Sequence, residues 1–129
     1  MPLVRIDLET GRTDEEIRLL ADVVQECMLD VFAAPPRDRY QVITEHPPGR
    51  IILEDTGLGY ERTSQQVVVH VFQQGRSTEQ KQALYAALAE RLEERCGLRG
   101  EDLLVSVAEV GRDDWSFGRG RAQFLTGEL

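Results

Sequence analysis

Displaced by 64 positions, the sequence falls back onto itself without a gap, and this duplication constrains the fold more than any other feature. Under the shift, Gly11-Arg12-Thr13 meets Gly75-Arg76-Ser77, Glu15 meets Glu79, Leu20 meets Leu84, Asp38 meets Asp102 and Glu45 meets Glu109. Each copy opens on a short, apolar, β-branched run, Leu3 to Leu8 and then Val67 to Phe72, which predicts a strand. A capping box follows, Thr13 with Glu16 and Ser77 with Gln80. Helices come next. Ile17, Leu20, Ala21, Val24, Met28 and Val31 form one apolar stripe, and Leu84, Ala87, Leu88 and Leu92 the other. They stop near Ala33-Ala34-Pro35-Pro36 and Gly97-Leu98-Arg99-Gly100, and a second strand follows each, Tyr40 to Glu45 and Leu103 to Val110.

The plan is β-α-β twice, with a right-handed crossover and parallel strands in each unit. The fold class is α+β: a four-stranded mixed sheet with both helices on one face. The other face is expected to be apolar and uncovered, which predicts an oligomer. A chain of 129 residues, 41% hydrophobic, fits a single domain over residues 1–129, with repeat halves at about 2–48 and 66–111 and a C-terminal segment 112–129. Between the halves, Arg50 to Ser64 holds a short extended piece and the loop Thr56-Gly57-Leu58-Gly59-Tyr60. Its Gly-x-Gly neither follows a clear strand nor opens a helix, so it reads as a turn rather than a phosphate loop.

A net charge of −8 disfavours phosphate backbones, and one short Gly-Arg stretch, Phe117 to Arg121, does not make a nucleic-acid surface. No run approaches the ~20 apolar residues that span a bilayer. The opening Met1 to Asp7 lacks the basic start and unbroken apolar stretch of a signal peptide, so a soluble cytoplasmic protein is expected. Cys27 and Cys96 fall in helical stretches outside any C-x-x-C motif and read as reduced structural thiols. His46 and His70 have no spacing partner for a metal, and none is expected.

The chemistry is sought where the duplication breaks its own symmetry. If the two units pack about a local two-fold, their first strands lie antiparallel in the middle of the sheet. Gln74-Gly75-Arg76 then falls beside Pro2, and Arg12 falls beside Gln66. Only the first of these places combines an arginine with an amine. Methionine is usually trimmed before a small residue, and proline then becomes a rigid secondary amine titrating near pH ~7.7–8.0 in the absence of neighbours. Such an amine acts as a base, attacks a carbonyl, or, protonated, donates to an oxyanion. Met-Pro by itself is also an ordinary chain start. Arg76, just before a helix, suits a carboxylate, though Gly-Arg is equally the turn of the repeat. Asp38 is a candidate acid or a strand-entry residue, as Asp102 is in the matching place.

At these residues the sequence resembles the tautomerase superfamily, whose members use an amino-terminal proline. Pro2, a strand and then Gly-Arg-(Ser/Thr)-x-Glu carry the resemblance, and Gly75 to Lys81 is similar to the helix opening of 4-oxalocrotonate tautomerases. A longer match, over essentially the whole chain, is to the malonate semialdehyde decarboxylases. It includes Gly11 to Asp14, Asp38 to Gln41, Leu53 to Tyr60, Asp114 to Ala122 and Phe124 to Gly127. The resemblance implies a homotrimer and cofactor-free loss of carbon dioxide from malonate semialdehyde, a small carboxylate and aldehyde, giving acetaldehyde. It implies Pro2 as the catalytic amine, Asp38 as its acidic partner, Arg76 as a carboxylate clamp, and Trp115, Phe117 and Phe124 as an apolar wall. Better-known members carry a second arginine where this chain has Gln74, so one charged clamp is replaced by an amide. A 3-haloacrylate dehalogenase or hydratase, a keto–enol tautomerase, and a binding protein without turnover are the alternatives.

Overall fold

The computed structural model describes residues 2–129. The elements keep the 64-residue offset of the sequence. Strand β1 (Leu3–Glu9) is repeated as β3 (Val67–Gln73), helix α1 (Asp14–Asp30) as α2 (Thr78–Cys96), and β2 (Tyr40–His46) as β4 (Leu103–Glu109). Both capping boxes form: Thr13 Oγ1 accepts from Glu16 N at 3.1 Å and Ser77 Oγ from Gln80 N at 3.1 Å, with the reciprocal bonds present. Helix α2 ends at Gly97, whose φ of +67° is one that a side chain resists, and its N–H reaches Glu93 O at 3.1 Å.

The sheet order is β2-β1-β3-β4. β1 and β2 are parallel, as are β3 and β4, and β1 runs antiparallel to β3 at the centre. Val4, Ile6 and Leu8 of β1 and Val67, Val69 and Val71 of β3 point to one face and are buried under the helices. Leu20, Val24 and Met28 of α1 and Leu84, Leu88 and Leu92 of α2 meet them, spaced one helical turn apart. Burying each of these side chains contributes about 1.5–3 kcal/mol. Val23 and Cys27 join this core from α1, so Cys27 is fully buried, while Cys96 is half-buried. Burial pushes both thiols up from their ordinary range. The helices are antiparallel and are tied by Arg91 to Asp30 at 2.7 Å and by Arg95 to Glu26.

The sheet's outer face departs from expectation. It carries Leu3, Val42, Val68, Phe72 and Leu104, but Arg5, Asp7, Thr44, His46 and His70 share it in register. His46 Nε2 lies 2.7 Å from Asp7 Oδ1, and the His70 ring meets the edge of Phe72 at 4.5 Å. The face is therefore mixed rather than apolar.

Between the halves, the segment 47–66 pairs with no strand, and Ile52 and Leu58 are exposed. Its glycine loop is a turn, closed by Asp55, whose carboxylate accepts from Gly57 N at 3.1 Å and Gly59 N at 2.8 Å. Two 3₁₀ turns, Gly100–Asp102 and Arg112–Asp114, and a short helix α3 (Gln123–Thr126) complete the chain. Among the described residues no helix is long and apolar enough to cross a membrane.

Candidate active site

Strand direction brings four segments to one end of the sheet. Leu3 is paired with Tyr40 on one side and Phe72 on the other, so Pro2 stands where β2 begins and β3 ends. Asp38 arrives there from the loop before β2, and Gln74 and Arg76 leave from the end of β3. β4 finishes level with it, Glu109 opposite Gln73, and sends residues 110–126 back over the same end. All seven residues singled out from the sequence belong to these segments.

Pro2 is buried. Asp38 is 8% exposed; its N–H closes a turn onto Pro35 O at 3.0 Å, and its Oδ2 has no hydrogen-bonding partner among the described residues. Arg76 donates from Nε and Nη2 to the carbonyl of Phe32 at 3.0 and 2.8 Å, and from Nη1 to the carbonyl of Gln74 at 2.8 Å. Three of its five N–H groups are thus taken, which fixes the plane of the fork and leaves two for an anion. Its cation lies 5.5 Å from the centre of the Phe32 ring. Burial lowers the Arg76 pKa, and the charge of Asp38 opposes that shift.

Gln74 accepts from the indole Nε1 of Trp115 at 2.9 Å, so its oxygen is occupied and its NH₂ is the end available to a ligand. Trp115 stacks on Phe117 at 5.5 Å, and Phe124 meets Phe117 edge-on at 5.4 Å. Phe117 is held in place by its own N–H, which donates to Gln123 Oε1 at 2.9 Å. Leu3, Tyr40, Asp114, Trp115, Ser116 and Phe117 line a cleft of about 390 Å³, large enough for a small organic acid. Among the described residues no three His, Cys, Asp or Glu side chains converge into a metal-binding group.

An acidic side chain, a constrained arginine, an amide donor and an aromatic cluster thus lie on segments that reach the end of the sheet where Pro2 stands, while the cleft itself is lined by Leu3, Tyr40 and residues 114–117 and not by Pro2, Asp38, Gln74 or Arg76. A profile of the family described as tautomerase enzyme matches residues 38–118, and a second of the same description matches residues 2–61. The chain belongs to the tautomerase family.

The chain is 49% identical to the probable tautomerase YrdN of Bacillus subtilis (strain 168) over the full length of both chains. It is similar to a malonate semialdehyde decarboxylase solved in wild-type, mutant and inactivated forms to explain decarboxylase and hydratase activities. That likeness has 48% identity, 98% of each chain covered and a TM-score of 0.94. A fused 4-OT solved as an asymmetric trimer is 25% identical, with 96% of this chain and 98% of that one covered and a TM-score of 0.77.

The mirror end of the tautomerase shows what the duplication does without an amine. Gln66 takes the place of Pro2, buried, with Nε2 donating to Ile51 O at 2.8 Å. Arg12 takes the place of Arg76 and donates to Gln65 O at 2.6 Å. Asp102 takes the place of Asp38, fully buried, and accepts from Thr63 N and Thr63 Oγ1, both at 2.6 Å. There the Asp102 carboxylate and the Gln66 amide donor are bonded within the fold.

Three residues of the site escaped the sequence reading. Tyr40, whose ring lies 5.6 Å from Phe117, was legible only as a strand start, although the register places it beside Leu3. Phe32 contributes its backbone carbonyl, which no side-chain pattern announces. Gln73 ends β3 with its side chain fully buried, where alternation alone predicts an apolar residue.

Proposed function

We propose that this tautomerase is a cofactor-independent decarboxylase acting on malonate semialdehyde through the amine of Pro2, in a homotrimer. The observation that supports the proposal is that buried Pro2, buried Asp38, the fixed fork of Arg76 and the stacked Trp115 and Phe117 all lie on segments reaching one end of the sheet. The similarity to a malonate semialdehyde decarboxylase at 48% identity supports the choice of substrate, and the fused 4-OT trimer supports the assembly.

The chemistry is the loss of carbon dioxide from a β-oxo acid. The bond to the carboxylate breaks, its electron pair moves to the adjacent carbon and the aldehyde oxygen, and the resulting enolate takes a proton to give acetaldehyde. Rate is gained only by stabilising that developing charge more than the ground state. With Met1 removed, protonated Pro2 donates to the aldehyde oxygen, or neutral Pro2 forms an iminium that accepts the electron pair. The free N–H groups of Arg76 and the amide of Gln74 orient the carboxylate so that its breaking bond overlaps the carbonyl π system. The wall of Trp115, Phe117 and Phe124 keeps water from it, which favours loss of charge from the carboxylate.

The test is product identity by proton NMR, on protein whose mass shows Met1 removed. Acetaldehyde is expected, with kcat/KM lowered about 10²-fold by Pro2→Ala, which exchanges the ring-held secondary amine for a mobile primary one, and with activity lost where Met1 is retained and acylates the nitrogen. Borohydride with substrate yields a covalent adduct at Pro2 on the iminium route and none on the polarisation route. The second reading is a keto–enol tautomerase, favoured by the 49% identity to a probable tautomerase. It predicts an enol–keto exchange without carbon dioxide. A hydratase or dehalogenase would instead deliver malonate semialdehyde as product, and a binding protein would be indifferent to Pro2→Ala.

A further inference from the structure

Two buried side-chain atoms among the described residues have no hydrogen-bonding partner, Asp38 Oδ2 and Gln73 Nε2. They are opposite in kind, a carboxylate acceptor and an amide donor, and they flank the same strand. Gln73 lies on the helix-facing side of β3, one step past Phe72, whose partner is Leu3. Continued by that step, the antiparallel register sets Gln73 across from Pro2. Asp38 lies on the other side of β1, two residues before Tyr40, the parallel partner of Leu3. The amide's orientation follows from the turn: Oε1 accepts from Arg76 N at 3.3 Å, so the NH₂ is the end left over. Gln73 is 0% exposed, so bulk water does not satisfy it.

We propose that Gln73 is a positioning residue for the Pro2 amine, its Nε2 donating to the amine lone pair while Asp38 accepts the amine N–H. The inference rests on the reading of Pro2 as a free amine. A neutral secondary amine has one N–H and one lone pair, and the two orphaned atoms are one acceptor and one donor. Protonation removes the lone pair and sets an N–H against the amide's own N–H. Asp38 therefore favours the charged amine and Gln73 favours the neutral one. Of the other charged groups at this end, Arg37, next to Asp38, and Asp113 are exposed, Arg112 lies 4.7 Å from the centre of the Phe124 ring, and Arg121 is paired with Glu128 at 2.7 Å. Arg76, from the turn after β3, also opposes protonation, with its fork held by the Phe32 and Gln74 carbonyls. Arg39 is turned to Asp22 at 2.7 Å and to Gln41 at 3.0 Å. Glu109, level with Gln73 on β4, is exposed. Asp114 accepts from Gly111 N at 2.6 Å. Gln73 thereby sets what fraction of the protein holds a nucleophilic amine at neutral pH.

The test is a titration of the Pro2 nitrogen by NMR in full-length protein labelled with ¹⁵N-proline, with Met1 removal verified by mass. Gln73→Met keeps the length of the side chain and removes the donor. Gln73→Glu keeps an acceptor for Arg76 N–H and replaces the donor with a second acceptor. The amine pKa is expected to rise by about half to one unit in Gln73→Met and further in Gln73→Glu, while Asp38→Asn lowers it. Far-UV circular dichroism confirms that each variant folds, and Gln73→Leu, which likewise removes the donor without adding charge, carries the test if Gln73→Met does not fold. An unchanged or lowered pKa in the Gln73 variants overturns the inference. If Asp38→Asn lowers the pKa while the Gln73 variants leave it alone, only the role of Gln73 falls. If the ordering holds but no preparation releases acetaldehyde, the decarboxylase reading falls and Gln73 keeps its role.

Discussion

Asp38 and Asp102 are the same residue in the same place of two copies, and their surroundings separate them. Asp102 gains two charge-assisted hydrogen bonds from Thr63, each worth about 1.5–3 kcal/mol relative to an unmade bond. Asp38 is buried with one oxygen unpartnered, a cost to the fold rather than a gain. Thermal unfolding should therefore rank the variants. Asp102→Ala is expected to lose about 2–3 kcal/mol, since Thr63 N and Oγ1 are stranded with it. Asp38→Ala should melt at or above the parent temperature while slowing turnover. A loss of stability in Asp38→Ala equal to that in Asp102→Ala would refute the contrast. At this scale the candidate residues were legible in the sequence, but their surroundings were not. The offset put Arg76 and Asp38 on a short list, because duplication marks which residues repeat. It could not say that Arg76 spends three N–H groups on carbonyls, because backbone acceptors such as Phe32 O carry no signature in residue type.

Elements were the most legible scale, for a physical reason. Strand alternation, the 3.6-residue stripe and the capping box are local signals, and each was written twice. Boundaries fell within a residue or two of the observed ones, as fraying at element ends allows, except that α1 stops at Asp30, three residues before Ala33. Where the copies have no counterpart, the reading weakened. The Ile51-Ile52-Leu53 run has strand composition but no neighbouring strand to pair with, and the short turns near residues 100, 112 and 123 contain too few residues to show a period. The caps give the element-scale prediction. Thr13→Ala and Ser77→Ala should each destabilise by about 1 kcal/mol, measured by denaturant unfolding, and together by about the sum, since they cap different helices. In Thr13→Ala the Glu16 carboxyl, held below its usual range chiefly by the Thr13 N–H, should move little, because the backbone donor survives the substitution.

The whole molecule leaves a sheet face and a long connecting segment unaccounted for within one chain. Leu3, Val42, Val68 and Phe72 on the sheet, with Ile52 and Leu58 on the segment, offer apolar surface beside ordered charge. That mixture suits a specific contact with further copies better than indiscriminate sticking, because a covering surface must match Arg5 and the Asp7–His46 pair as well as the apolar side chains. The proposed trimer is checked by analytical ultracentrifugation. Three chains per particle are expected for the parent, and Phe72→Glu should yield monomers with unchanged far-UV circular dichroism, since its side chain lies outside the helix-covered core. A trimer that tolerates Phe72→Glu would place the contact elsewhere.

Residues 47–66 join the two halves with no helix or strand, while the halves are held together by the β1–β3 ladder beneath two crossed ion pairs. The join adds no strand to the sheet, though Thr63 within it holds Asp102, and the two copies already meet as partner subunits would. A chain severed there keeps every ladder of the sheet, and its second fragment can be made to begin at position 66. With Gln66→Pro, that fragment would present a second secondary amine to Arg12 and Asp102, turning a keystone into a workplace and giving a designer two addressable sites on one scaffold.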